Sequence, residues 1–340
     1  MSDLDKALET YLPALEEEMR AALQPRGPNQ VELLGMLRYH MGWVDPSFDA
    51  CEARLGKRVR PALCLLACDG CRGAWGRALP AAAALELLHN FTLIHDDIED
   101  RDRTRRSRPT VWSLWGEPQA INAGDTLLAV AQLTLLGLHE KGISPEAVLR
   151  ATRLFNATCV ALTVGQHLDI SFESRSEVSV AQYLEMIEAK TGALVACSCE
   201  MGALIAGAQD AQRERLRAFG RHLGLAFQMQ DDILGIWGDS DATGKPVGAD
   251  IVRRKKTLPL LHGLENSPAL RSLMERDALS AAEVRQAREL LARAGSRDYS
   301  QRLARQHHHK ALAALQRAEL QPHATCALRE LSNQLLSRDR

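Results

Sequence analysis

An apolar stretch, AAAALELLHNFTLI, closes abruptly on His95-Asp96-Asp97-Ile98-Glu99-Asp100, so that four acids crowd one helix end. Asp96 and Asp100 stand at i and i+4, which on a helix points both carboxylates the same way about 6 Å apart along the axis. Like charges at that spacing repel, and the C-terminal end of a helix dipole disfavours anions as well. The arrangement calls for a cation. Hard divalent ions, Mg²⁺ above all, take oxygen ligands, keep waters and bridge carboxylates to substrate phosphates. A solvated acidic helix end would account for one or two acids, but not for their place at the end of an apolar helix.

The pattern occurs twice. LGLAFQMQDDIL, residues 223–234, is again an apolar helix closing on paired aspartates, Asp231 and Asp232. Two such helices facing one cavity would make a metal clamp. Basic groups suited to phosphate surround them in sequence: GKRVRP at 56–61, Arg105-Arg106, Lys190-Thr191, Lys245 and Lys255-Lys256. Together they imply a site for diphosphates and Mg²⁺. Counting about 100° per residue, His89, Thr92, Asp96 and Asp100 fall within about 80° of one another, a polar stripe down an apolar helix.

The elements that must carry these residues read as helices. Apolar residues recur at three- and four-residue steps in Leu4–Leu23, Arg60–Ala67, Leu79–Asp100, Ile121–His139, Pro145–Asp169, Val180–Ala208, Ala211–Ile236 and Ala282–Gln316. Ser2 and Asp5 form a candidate capping box ahead of the first. Breaks fall where Gly, Pro and Asp gather, and none is long enough for a flexible linker, so one domain over 1–340 is expected. Aromatics at 4% and an abundance of Ala and Leu disfavour a sheet, and an all-α protein follows. Lys and Arg number 42 against 43 Asp and Glu, a formal charge of −1, so no global field would hold nucleic acid.

The best apolar run, Leu127–Leu138, holds Gln132 and falls short of the roughly 18 residues a spanning helix needs, so no transmembrane segment is expected. The acidic N-terminus has no basic segment leading into an apolar core, and the eight cysteines sit mostly among Ala and Leu, which together point to a cytoplasmic address. Cys64, Cys68 and Cys71 lack a matching Cys/His pair at zinc-finger spacing. His307-His308-His309 lies inside a helical pattern and reads as a solvated helix face.

These motifs resemble those of the trans-isoprenyl diphosphate synthases, the polyprenyl synthetase family. The resemblance covers nearly the whole chain: GKRVRP at 56–61, ELLHNFTLIHDDIEDRDRTRRSRPT at 86–110, AGDTLLAVA at 123–131, GQHLD at 165–169, EAKTGAL at 188–194, and LAFQMQDDILGIWGD with TGKPVGADI and KKTLP within 225–259. It implies an isoprenoid-synthase helical bundle around a central cavity, a homodimer, and head-to-tail joining of isopentenyl diphosphate onto an allylic diphosphate. It assigns Asp96, Asp100 and Asp231 as Mg²⁺ ligands, with Asp97 and Asp232 as adjacent members. Lys57, Arg60, His89 and Arg106 would hold isopentenyl diphosphate, and Arg105, Lys190, Lys245 and Lys255 the allylic diphosphate. Thr191 and Gln228 resemble the family's carbocation-facing oxygens.

Phe91 and Thr92, five and four residues before Asp96, are the expected ruler of product length. Phe followed by Thr resembles synthases that continue to the C20 product, geranylgeranyl diphosphate, rather than stopping at C15, farnesyl diphosphate. The chain departs from the family in three places. Gly235 stands where the third aspartate of the second motif is usual, with Asp239 and Asp241 downstream as candidates to compensate, and Ser107 and Arg254 stand where Gly is common. A terpene cyclase would also use an Asp-rich helix end, but GKRVRP and the Asp231-Asp232 pair argue against it. A non-catalytic synthase subunit would be expected to lose the aspartates retained here.

Overall fold

The computed structural model describes residues 1–51, 53, 56–175, 177–238, 248–276 and 278–337, and they are mostly helical with almost no strand, as expected. The chain gathers into two compact units. The first comprises Met1–Asn156, Ser198–Arg213 and Leu320–Ala327; the second comprises Ala157–Cys197, Glu214–Glu319 and Leu328–Arg340.

The first unit is organised on one buried helix. Helices α1 (Asp3–Ala22), α2 (Val31–His40) and α3 (Val59–Gly70) precede α4 (Leu79–Glu99), whose residues Pro80–Leu88 are all buried. Ser2 and Asp5 form the anticipated capping box on α1, each side chain bonding the other's backbone N–H. A two-residue hairpin, β1 (Thr104–Arg105) with β2 (Arg108–Pro109), leads to α5 (Val111–Trp115) and α6 (Glu117–Leu136). α6 buries Ala120, Ala123, Gly124, Leu127, Ala131 and Leu135 and packs along α4. Those residues repeat at three- and four-residue steps and are mostly small, which lets the two axes approach closely. A Cβ at Gly124 would collide with His95 Nε2, so the imidazole is seated where α6 has no side chain.

Helix α7 (Pro145–Glu173) begins in the first unit and runs into the second. Among the described residues it is the one helix long and apolar enough to cross a membrane, but only at the lower limit of mean hydropathy, so the described residues hold no strong transmembrane segment, as expected. Its exposed residues include Leu149, at 71%, with Val160 and Val164; on α6, Leu133 is 67% exposed and Ile121 and Leu136 are exposed too.

In the second unit, α8 (Val180–Ile187) passes into a π-helical segment, Glu188–Gly192, and then into α9 (Ala193–Ile205), which from Ser198 belongs to the first unit, so the single helix expected over Val180–Ala208 is interrupted in register. Glycines admit this geometry. A Cβ at Gly165 of α7 would collide with the backbone N of Lys190, and one at Gly220 of α10 (Asp210–Trp237) would stand 2.5 Å from Val195 O. α11 (Ala249–Val252), α12 (Leu258–Asn266), α13 (Pro268–Met274), α14 (Ala281–Arg293), α15 (Ser296–Arg317) and α16 (Pro322–Leu336) complete the order. The expected helix Ala282–Gln316 is two helices because Gly295 adopts φ +71°, a left-handed conformation open to glycine at little cost. One core gathers Phe172, Tyr183, Leu225, Met229, Leu258 and Leu261; another gathers Ile236, Ile251, Leu270 and Leu291.

The histidine run does not form a uniformly solvated face. His309 is exposed, but His308 Nε2 lies 2.9 Å from Ser332 Oγ, and His307 Nδ1 lies 3.2 Å from His222 Nδ1. No disulfide occurs among the described residues.

Candidate active site

In the first unit the polar stripe of α4 is present as expected: His89, Thr92, Asp96 and Asp100 are all partly exposed on an otherwise largely buried helix. Asp100 caps α4, its N–H donating to Asp96 O at 2.8 Å. Asp97 faces the other way. It is 1% exposed and accepts from Arg105 Nε at 2.7 Å, while its other oxygen, buried, has no hydrogen-bond partner. Burial outweighs the arginine and pushes its carboxyl up to about 6. Phe91 is buried with its ring edge-on to His95 at 4.8 Å, and Thr92 Oγ1 donates to His89 O at 2.8 Å.

The cations are placed by two local devices. Between β1 and β2, Arg106 and Ser107 both have positive φ, 52° and 62°, the signature of a two-residue type I′ turn. Glycine, which the resemblance leads one to expect at 107, would take this positive φ at no steric cost. The turn leaves Arg105 on Asp97 and lays Arg106 against Gly56, where a Cβ would stand 2.7 Å from Arg106 Nη2. Arg108 is structural, donating to the carbonyls of Tyr39 and Val44 and lying 4.1 Å over the Tyr39 ring. The second device is the start of α3, where Lys57 and Arg60 flank the left-handed Arg58 at the positive end of the helix dipole.

His89 and His40 are held neutral. Burial lowers both, and the nearby charges of Arg105 and Arg106 lower them further, His40 to about 3. His40 lines a cleft with Asp97, Arg105 and Arg106. Sequence reasoning missed it, because its helix carries no acidic motif to mark it.

In the second unit Asp232 is buried and held by three donors: Tyr183 Oη at 2.6 Å, Gln228 Nε2 at 3.0 Å and Leu258 N at 3.1 Å. Burial pushes it up to about 7 despite those bonds. Thr191 Oγ1 donates to Gln228 Oε1 at 2.8 Å, so Thr191, Gln228 and Asp232 form one directed chain. Asp231, its neighbour, is partly exposed. Lys190, in the π segment, pairs with Asp169 of the GQHLD motif. Lys255 N donates to Asp250 O at 3.0 Å. Lys245, Asp239 and Asp241 lie outside the described residues.

The place of the third aspartate is not empty. A Cβ at Gly235 would collide with Asp250 Oδ2, so the carboxylate of Asp250 occupies the space into which any side chain at position 235 would begin. Among the described residues no three His, Cys, Asp or Glu side chains converge as an all-protein cage. What the chain offers is hard carboxylate oxygens in pairs, Asp96 with Asp100 in one unit and, in the other, Asp231 with the Asp250 carboxylate that sits at Gly235 one turn further along the helix, a donor chemistry that fits Mg²⁺.

A family model described as polyprenyl synthetase matches residues 42–291. The chain belongs to the polyprenyl synthetase family. It is similar to a geranylgeranyl diphosphate synthase of Mycobacterium tuberculosis, 41% identical over 324 residues covering 94% of this chain and 89% of the relative. It is also similar to a (2E,6E)-farnesyl diphosphate synthase of Mycobacterium bovis, 39% identical over 313 residues covering 89% of this chain and 85% of the relative. The crystal structure of a polyprenyl synthetase from Streptomyces coelicolor A3(2) superposes with a TM-score of 0.88 at 36% identity, with 98% of each chain covered. The fold is therefore the all-α isoprenoid-synthase fold, and the chain is a short-chain trans-prenyltransferase.

Proposed function

We propose that this prenyltransferase condenses isopentenyl diphosphate head-to-tail with an allylic diphosphate, and that geranylgeranyl diphosphate is its main product. The observation that carries the reading is the division of each aspartate pair: Asp97 and Asp232 are buried and held by the fold, whereas Asp96, Asp100 and Asp231 are partly exposed, as ligands for an incoming ion must be. Mg²⁺ held by those three would neutralise the allylic diphosphate and favour its departure. Lys57, Arg60, His89 and Arg106 bind isopentenyl diphosphate; His89, neutral, contributes a donor rather than a further charge. Arg105, Lys190, Lys245 and Lys255 hold the allylic diphosphate.

Breaking the allylic C–O bond leaves negative charge on diphosphate and positive charge on C1. Because Thr191 spends its proton on Gln228, its oxygen lone pairs remain available to face the cation. Ala- and Leu-rich helix walls exclude water that would intercept it. The isopentenyl double bond attacks C1, and the departing diphosphate takes the proton whose loss restores the alkene. Aligning the two substrates is the chain's remaining contribution.

Buried Phe91, five residues before Asp96 on α4 with small Thr92 beside it, supports the C20 product, and the family match over residues 42–291, which takes in parts of both units, supports one domain over residues 1–340. The exposed apolar residues on α6 and α7, Leu133 and Leu149 among them, support a homodimer whose second copy covers them, and eight free cysteines support a cytoplasmic address. The test is diphosphate release and product chromatography with isopentenyl diphosphate, each of dimethylallyl, geranyl and farnesyl diphosphate, and Mg²⁺. Geranylgeranyl diphosphate from all three primers is expected. Release from the allylic substrate alone, with a cyclised hydrocarbon as product, would overturn the reading.

A further inference from the structure

Between Lys57 and Arg60 the chain places a residue that reaches neither solvent nor substrate. Arg58 has φ 48° and ψ 38°, a left-handed conformation costly for a residue with a Cβ, and its side chain is 5% exposed. Its guanidinium donates to Glu86 Oε1 of α4 at 2.8 Å and to Glu16 Oε2 of α1 at 3.2 Å. Glu86 is itself clamped by Asn90 Nδ2, which donates to its carbonyl at 2.8 Å and to its carboxylate at 3.3 Å, and Trp43 Nε1 donates to Glu16. Three residues after Glu86 on the same helix comes His89. The ion pair therefore ties the segment carrying Lys57 and Arg60 to the turn of α4 that presents His89.

The charges matter as much as the tether. Arg106 is exposed, with its guanidinium against Gly56, and feels the opposing charges of Glu86 and Arg58. A buried carboxylate that lost its nearest cation would turn to the next one available. That cation is Arg106, which the diphosphate needs.

We infer that Arg58 is a positioning residue for the isopentenyl diphosphate site: by engaging Glu86 and Glu16 it fixes the backbone between Lys57 and Arg60 and keeps the Glu86 carboxylate from neutralising Arg106. The inference rests on the proposed binding of isopentenyl diphosphate by Lys57, Arg60, His89 and Arg106.

Steady-state KM for isopentenyl diphosphate and for farnesyl diphosphate, with melting curves, tests it on Lys57→Ala, Arg58→Met, Arg58→Lys and Arg58→Met combined with Glu86→Gln. Arg58→Met is expected to raise the isopentenyl diphosphate KM about tenfold and leave the farnesyl diphosphate KM near wild type. Adding Glu86→Gln, which removes the stranded charge, restores part of that loss. Arg58→Lys keeps the charge but not the fork that spans two carboxylates, and gives a smaller rise in the same KM. It also stands in if Arg58→Met does not fold. A folded Arg58 variant with unchanged KM, equal rises for both substrates, or a double variant worse than the single one would overturn the inference. An unchanged isopentenyl diphosphate KM in Lys57→Ala would instead overturn the site assignment on which it rests.

Discussion

Tyr183 donates its hydroxyl proton to Asp232 over 2.6 Å, joining α8 to the end of α10 through a carboxylate that the motif alone would have offered to the metal. The same carboxylate takes the Leu258 N–H at the start of α12, so three elements converge on one side chain. Removing a donor from a buried acceptor costs about 1–3 kcal/mol. Tyr183→Phe should lose stability of that order in urea titration while keeping most of its turnover, because Asp231 is untouched.

Asp96→Asn, Asp100→Asn and Asp231→Asn should behave the other way. Each removes a partly exposed candidate ligand while keeping the size of the side chain, so turnover should fall by orders of magnitude with an unchanged helical circular dichroism spectrum. Near-wild-type rates in all three would remove the metal assignment.

At Gly235 the outcome turns on Asp250. With the Asp250 carboxylate already seated where a Cβ would stand, Gly235→Asp has no room and should destabilise the protein rather than lower its Mg²⁺ requirement. Asp250→Asn should raise the Mg²⁺ concentration for half-maximal rate. Titrating Mg²⁺ against rate for both variants checks the pair.

Product length should respond at two positions on different helices. Phe91→Ala opens the floor and should shift products beyond C20, at a stability cost of about 3–5 kcal/mol for a buried aromatic. Gly124→Ala pushes into His95, whose ring lies against Phe91, and should alter chain length without touching α4's sequence. Chromatography of products from both variants decides whether Phe91 is a floor or only core packing.

His307 should give the stability profile an acid limb. Burial and the neighbouring His222, Lys310 and Arg221 lower it from 6.5 to about 4, with Glu188 opposing. The unfolded chain therefore binds more protons than the folded one between those values. Stability is fully present above about 6.5 and declines as pH falls through that window toward 4. His307→Gln should flatten that limb in denaturant titrations at pH 4.5, 5.5 and 7.

The chemistry was legible wherever residue type and spacing coincided: the α4 stripe, the two aspartate pairs and the flanking cations all read directly from the sequence. What escaped was set by contacts distant in sequence. Helix α2 has apolar residues on most sides, and its Gly35 lowers helix propensity while admitting the Phe48 ring, which would lie 2.8 Å from a Cβ there. The turn at Arg106-Ser107 carries no glycine and gives no hairpin signal, so only the backbone reveals it. That Asp97 and Asp232 point inward while their neighbours face outward depends on Arg105 and Tyr183, eight and forty-nine residues away.

The π segment at Glu188–Gly192 has a consequence for what the gene can tolerate. A π turn carries one residue more than the α-helical turn it replaces, so α8 and α9 are out of phase by about 100° relative to a continuous α-helix. Residue number, rather than residue type, keeps Tyr183 on one side and the Val195–Ala196 backbone against Gly220 on the other. Straightening the segment to ordinary α with every residue kept would rotate each later contact of α9 by about 100°, whereas deleting one codon between 188 and 192 would let the helix run on as ordinary α with α9 close to its present phase, and the loss would fall on the local geometry that presents Lys190 and Thr191.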